Sequence, residues 1–208
     1  MVVEQSTGDP NATREMAAQL RERGIDLVDA PVSGGPRGAD AGNIAIMVGA
    51  SDAQLARVEP VLKLISPKIF HAGALGSGQV IKLANNLMHH AQRLLTLEAV
   101  SLAVRNGVSA AKAVEIMLAS SGRNYYMEQN MYSRVLAGQL VTGFTLDLVL
   151  KDVGLATQLG QESGVPLSIG NLVREYYETC RAEMGGKAEV NAVACRFDRL
   201  AGTAMVPL

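Results

Sequence analysis

Two hydrophobic periods divide the chain. Over roughly the first 77 residues, short apolar runs alternate with helical patterns. MVVEQ, IDLVDAP, NIAIMVG and KIFHAG (residues 1–5, 25–31, 43–49 and 68–73) read as strands. After the first of them, Asp9-Pro10 sets an N-cap with proline at the first helical position. Thr13, Met16, Ala17 and Leu20 then share one face until Gly24. Ser51 and Gln54 have capping-box spacing ahead of Leu55, Val58 and Leu62. Pro60 falls inside that helix and is expected to kink it. Strands alternating with helices predict an α/β sheet, and a small one.

From Gly78 the period changes. Val80, Ile81, Ala84, Leu87, Met88, Ala91, Leu94 and Leu95 keep helical spacing as far as Gly107. Further helical runs follow at 110–119, 145–163, 167–184 and about 190–200. Gly164-Val165-Pro166 and Gly185-Gly186 punctuate them. No strand pattern recurs. The expected organisation is α/β followed by all-α: residues 1–77, then 78–208 with the long connecting helix.

Charge narrows the partners little. The net charge is −1 and no block of like charges occurs, so nucleic acid and anionic membrane have no electrostatic footprint. No run reaches the ~18 apolar residues of a membrane span. The first ten residues lack the basic start and apolar core of a signal peptide. Cys180 and Cys195 are the two cysteines, without ligand spacing, so no metal is expected. Isolated thiols fit a reducing cytoplasm.

Charge does single out one lysine. Between Lys68 and Arg93 the only formally charged side chain is Lys82, set among Val80, Ile81, Leu83, Ala84 and Leu87. Such a lysine either snorkels at the helix edge or sits desolvated, where its amine can exchange protons near neutrality. Asn86 is one turn on, at i+4, with Asn85 beside it. Upstream, DAPVSGGPRGADAG (29–42) follows a strand. It is either a flexible connection or a site where the Ser33 hydroxyl and the N–H groups of Gly34 and Gly35 close on a carboxylate. Downstream, Lys151-Asp152 reads by itself as a solvated helical turn. His89 and His90 read as helix-face residues, and Tyr125, Tyr126 and Tyr132 near Arg123 as core or cleft lining.

Taken in order, DAPVSGG, then G-x-G-x-x-x-K-x-x-N-N (76–86), then F-x-x-x-x-x-x-K-D with G-L-A (144–156) resemble the β-hydroxyacid dehydrogenase family. This family includes 3-hydroxyisobutyrate dehydrogenase, tartronate semialdehyde reductase and, more distantly, 6-phosphogluconate dehydrogenase. The resemblance spans nearly the whole chain. It implies a partial Rossmann-type sheet, a long interdomain helix and an all-helical C-terminal domain that supports homodimers or homotetramers. It implies NAD or NADP as cofactor and a small hydroxyacid as substrate. Lys82 takes the position of the general acid/base, Ser33, Gly34 and Gly35 that of the carboxylate-binding loop, and Asn86 that of the substrate-binding amide. Thr7, Phe144 and Lys151 match positions near the cofactor. Arg123 and Asn124, in SSGRNYY, are candidate specificity residues. Asn85 stands where the 6-phosphogluconate enzymes carry histidine, which favours a substrate without phosphate. The lysine itself argues against the related imine reductases.

One family element is missing from the 208 residues. No G-x-G-x-x-G turn occurs, so no pyrophosphate cradle is expected in this chain and its NAD(P) binding alone should be weak. The apparent strand at residues 2–5 should then present an unpaired edge. Two other readings stay open: a non-catalytic oligomerisation or regulatory module derived from the family, and a carboxylate-binding protein using only the Ser33–Gly35 loop.

Overall fold

The computed structural model describes residues 1–207. It divides into two compact units, residues 1–86 and 87–208, and the division falls inside one continuous helix.

In the first unit, β1 (Val2–Glu4), α1 (Pro10–Arg21) and β2 (Leu27–Asp29) form a parallel βαβ unit with Val3 opposite Val28. Asp9 caps α1 as its sequence predicts, accepting from the N–H groups of Asn11 and Ala12 at 2.6 and 3.1 Å. A second parallel pair, β4 (Ala45–Gly49) and β5 (Ile69–Gly73), flanks α3 (Asp52–Leu62). The Ser51–Gln54 capping box closes at the start of α3. The helix runs through Pro60 and ends two residues later.

The glycine-rich stretch is not a plain connection. It contains the short strand β3 (Val32–Ser33), antiparallel to β4, and the six-residue helix α2 (Gly35–Asp40). Pro31, which has no N–H, separates β2 from β3, yet its carbonyl still accepts from Met47 at 2.9 Å. The sheet is therefore mixed, and β1, hydrogen-bonded only to β2 among the described strands, is an edge. Val28, Ile46, Val48, Val58 and Leu62 make its core.

In the second unit, the continuing α4 (Ser77–Arg105) packs with α5 (Ala110–Leu118), α6 (Leu146–Ser163), α7 (Ser168–Met184) and α8 (Val193–Ala201). Leu97, Val100, Val149, Val153, Tyr177 and Val193 lie in the core they share. A π-helix over Met127–Val135 completes it, where the sequence shows no clear helical period. Asn124 ties that segment down. Its Oδ1 accepts from the Met127 N–H, and its Nδ2 donates to Thr96 Oγ1 of α4 at 3.0 Å. No helix among the described residues is long and apolar enough to cross a membrane.

The junction of sheet and long helix is a buried carboxylate. Asp29, at the end of β2, is fully buried, and it accepts from the N–H of Gly76 at 2.7 Å and of Gln79 at 2.8 Å. Gly76 immediately precedes α4 and Gln79 lies in its first turn, where N–H groups have no intrahelical acceptor. Glycine is required around this contact. A Cβ at Gly49 would strike the carboxylate, and one at Gly78 would strike the Met47 carbonyl. Burial pushes the Asp29 carboxyl above the ordinary range, opposed by the two N–H donors and by Arg14.

Asp29 thus binds its proton more tightly folded than unfolded. Its share of stability falls as pH rises from about 4, the unfolded value, through the raised folded one. Asp29→Asn should flatten that part of the pH–stability curve in urea titrations. It should also cost roughly 1–3 kcal/mol at neutral pH, because an amide cannot accept from both donors with a charge. A variant with the parent's stability and slope would remove the junction from this account.

Candidate active site

The site is assembled on one face of α4. Gln79, Lys82 and Asn86, spaced by three and four residues, share that face. Lys82 is only 8% exposed, so its surroundings are dry rather than the solvated edge of a snorkelling lysine. Asn86 is half-buried, and its Oδ1 accepts from the Asn85 amide at 3.2 Å.

Gln79 is fully buried one turn before Lys82, and the sequence analysis gave it no role. Its Oε1 accepts from the Gly8 N–H at 2.9 Å while its Nε2 donates to the Ser6 carbonyl at 2.8 Å. The backbone on both sides of Thr7 is therefore pinned to α4. This loop follows β1, at the carboxyl end of the parallel β1–β2 pair. Open α/β sheets bind ligands at that end. A preformed loop there suits a nucleotide cofactor. At the N-terminus of α1 the Asp9 carboxylate already occupies the first free N–H groups.

Ser33 pairs with Ala45 at the end of β3. Behind it, Gly34 and Gly35 have φ of +143° and +62°, values that side chains rarely adopt. A Cβ on Gly34 would also press on Ile44 at 3.0 Å. The chain turns here into α2, whose first N–H groups precede any intrahelical acceptor. The Ser33 hydroxyl and the N–H groups of Gly34 and Gly35 are the donor types a carboxylate needs.

The first unit thus carries Thr7, Ser33, Gly34, Gly35, Lys82 and Asn86, and the second carries Arg123, Phe144 and Lys151. Arg123 is exposed and ion-paired with Glu128. Asn124 is committed to the cap described above. Of the Lys151–Asp152 pair, Asp152 is buried while Lys151 is exposed, with its Nζ 3.2 Å from the Asp152 carboxylate. Phe144 stacks on the His90 ring at 5.7 Å between centroids. Glu189 holds the Phe144 loop by accepting from the N–H groups of Thr142 and Gly143 at 2.7 and 3.1 Å. Burial raises the Glu189 carboxyl, but these bonds outweigh it and leave the group below its usual range.

A second polar feature escaped the sequence reading. Arg93, buried on α4, donates to His90 Nδ1 at 2.9 Å and His89 Nε2 at 3.3 Å, and lies 5.0 Å over the Tyr126 ring. Arginine can only donate, so both imidazole nitrogens act as acceptors. Burial pushes the Tyr126 hydroxyl up to about 12. Of the clustered tyrosines, Tyr126 is core, whereas Tyr125 and Tyr132 are exposed. Among the described residues, no group of three or more His, Cys, Asp or Glu could hold a metal ion.

Comparison with known proteins places this geometry. Residues 1–73 match the family described as the NAD binding domain of 6-phosphogluconate dehydrogenase. Residues 76–196 match the NAD-binding domain of NADP-dependent 3-hydroxyisobutyrate dehydrogenase. The chain is 38% identical to 2-(hydroxymethyl)glutarate dehydrogenase of Eubacterium barkeri over 99% of its own length and 68% of that protein. It is 36% identical to the NAD-dependent L-serine dehydrogenase of Pseudomonas aeruginosa, over 97% and 70%. The structure of Mycobacterium tuberculosis 3-hydroxyisobutyrate dehydrogenase with L-serine superposes with a TM-score of 0.82 at 30% identity, over 93% of this chain and 68% of that one.

The Gln79 tether makes a prediction of its own. Gln79→Leu keeps the side chain's bulk but removes both bonds, so the Gly8 amide should exchange with deuterium at least about tenfold faster. Unchanged protection at Gly8 would mean that something else holds the loop.

Proposed function

Because this chain belongs to the β-hydroxyacid dehydrogenase family, we propose that it serves NAD(P)-dependent oxidation of the CH–OH group of a small β-hydroxyacid, and the reverse reduction. The names of its relatives suggest the substrate class. 3-Hydroxyisobutyrate, serine and 2-(hydroxymethyl)glutarate each carry a CH₂OH group on the carbon next to a carboxylate. The substrate would then be HOCH₂–CHR–COO⁻, and the product the corresponding aldehyde.

The observation that carries this reading is the burial of Lys82 on a helix face shared with Asn86 and Gln79. A lysine amine held on this face is placed to exchange a proton with the substrate hydroxyl, as general base in oxidation and general acid in reduction. NAD(P)⁺, when bound, supplies the acceptor for the hydride leaving the same carbon. Asn86 offers its amide to the substrate oxygen beside the amine. Ser33, Gly34 and Gly35 grip the carboxylate and so fix which carbon faces Lys82. Thr7 on its tethered loop, together with Phe144 and Lys151, would contact the cofactor. Arg123 would act on substrate choice.

The test is made in a form of the protein that turns over a small β-hydroxyacid with NAD(P). In it, Lys82→Ala should lower kcat/KM on a small β-hydroxyacid by about 100-fold or more, with the circular dichroism spectrum unchanged. Asn86→Ala should weaken activity less. Turnover that survives Lys82→Ala would reject the assignment of the amine.

A further inference from the structure

Arg93 is a buried cation without an anion. It is 4% exposed, yet no carboxylate among the described residues pairs with it. Its electrostatic neighbours are two tyrosines. Burial raises the hydroxyls of Tyr126 and Tyr177, so both stay neutral and neither supplies the missing charge. A charge held in a dry interior without its opposite is costly. A guanidinium keeps its proton even there, so the anion has to come from outside the chain.

The unused hydrogens lie along one edge of the group. Nη1 is committed, to His90 Nδ1 at 2.9 Å and to the Tyr177 hydroxyl at 3.4 Å. Nε, itself buried, has no acceptor. Nη2 has only the 3.3 Å contact to His89 Nε2, at the long end for a hydrogen bond. Nε and Nη2 together form a side of the guanidinium that grips a carboxylate through two parallel N–H bonds. His89, on that edge, is half-buried, and its ring lies 5.8 Å from the ring of exposed Tyr125. The edge is therefore one side chain away from solvent.

We infer that Arg93 binds a second carboxylate of the substrate, carried at the far end of R in HOCH₂–CHR–COO⁻. The identity of the acid rests on the proposed reaction; the demand for an anion rests on the guanidinium alone. Along the continuous α4, Lys82, Asn86, His89 and Arg93 fall at i, i+4, i+7 and i+11, a single row. Arg93 leans back toward the start of the helix, as far as His89. His89 stands about 4.5 Å beyond Asn86 along the axis, an interval that two or three carbons cover. The substrate class is then a hydroxydicarboxylate. An uncharged R leaves the arginine unpaired, and an ammonium in R is repelled; a site built for a charged group rejects analogues without it.

Binding can be measured without turnover. In calorimetry on the parent chain, glutarate should bind at least about tenfold more tightly than pentanoate, which has the same carbon chain and one carboxylate. Arg93→Met should erase that difference. Because it removes a lone buried charge and breaks no ion pair, it should melt no lower than the parent. Arg93→Lys keeps the charge without the two-pronged edge and should recover only part of the preference. In the form that turns over, 2-(hydroxymethyl)glutarate should exceed 3-hydroxyisobutyrate in kcat/KM by about tenfold or more, chiefly through KM, and Arg93→Met should remove that preference. Equal affinity of the parent for glutarate and pentanoate would overturn the inference. So would an Arg93→Met chain that unfolds well below the parent, which would make the arginine a structural tie. A glutarate preference with no turnover of either hydroxyacid would keep the carboxylate site and reject the proposed reaction. Equal turnover of both would do the reverse.

Discussion

A single carboxylate, that of Asp29, carries the geometry of the first unit. It ends a buried strand and at the same time satisfies two N–H groups at the start of a 29-residue helix. A helix begun this way cannot rotate or slide without leaving donors unpaired in a dry interior, at a cost of about 1–3 kcal/mol each. The glycines at 49, 76 and 78 serve this contact rather than flexibility, because two of them clear space for it and the third takes a positive φ at the turn. The angular position of Lys82, one turn beyond the capped donors, follows from where the carboxylate sits.

The same helix face then recruits the loop. Gln79 meets the backbone on both sides of Thr7, so Thr7 and Lys82 are positioned by neighbouring turns of one rigid element. Sites built on regular elements hold their geometry better than sites carried by free loops. In the second unit, Glu189 and Asn124 do comparable work on the Phe144 loop and on the π-helix. In each case a buried or half-buried polar side chain satisfies backbone groups that no ladder reaches.

Much of this was legible beforehand. The strands, the capping box at Ser51, the Asp9 cap and the helices after residue 78 follow from local periodicity and cap chemistry, which depend on near neighbours only. Lys82 announced itself by the absence of other charges around it, and the order of three motifs pointed to the family. β3, α2 and the π-helix were missed. Each is short or of unusual period, and two of them are held by partners distant in sequence: Val32 of β3 by Ile46, and Asn124, which caps the π-helix at Met127, by Thr96.

The sequence by itself determined the element types, the change from α/β to all-α and the isolation of one lysine, because these are written in spacing and residue type. Only the tertiary structure decided that Asp29 and Gln79 organise the site, that Asp152 and Arg93 are buried, and that Tyr126 rather than its neighbours is core. The first of these rests on contacts between residues far apart in the chain, 47 positions from Asp29 to Gly76 and 73 from Gln79 to Ser6. The desolvation of a polar group is fixed by what packs over it, and no local pattern encodes that.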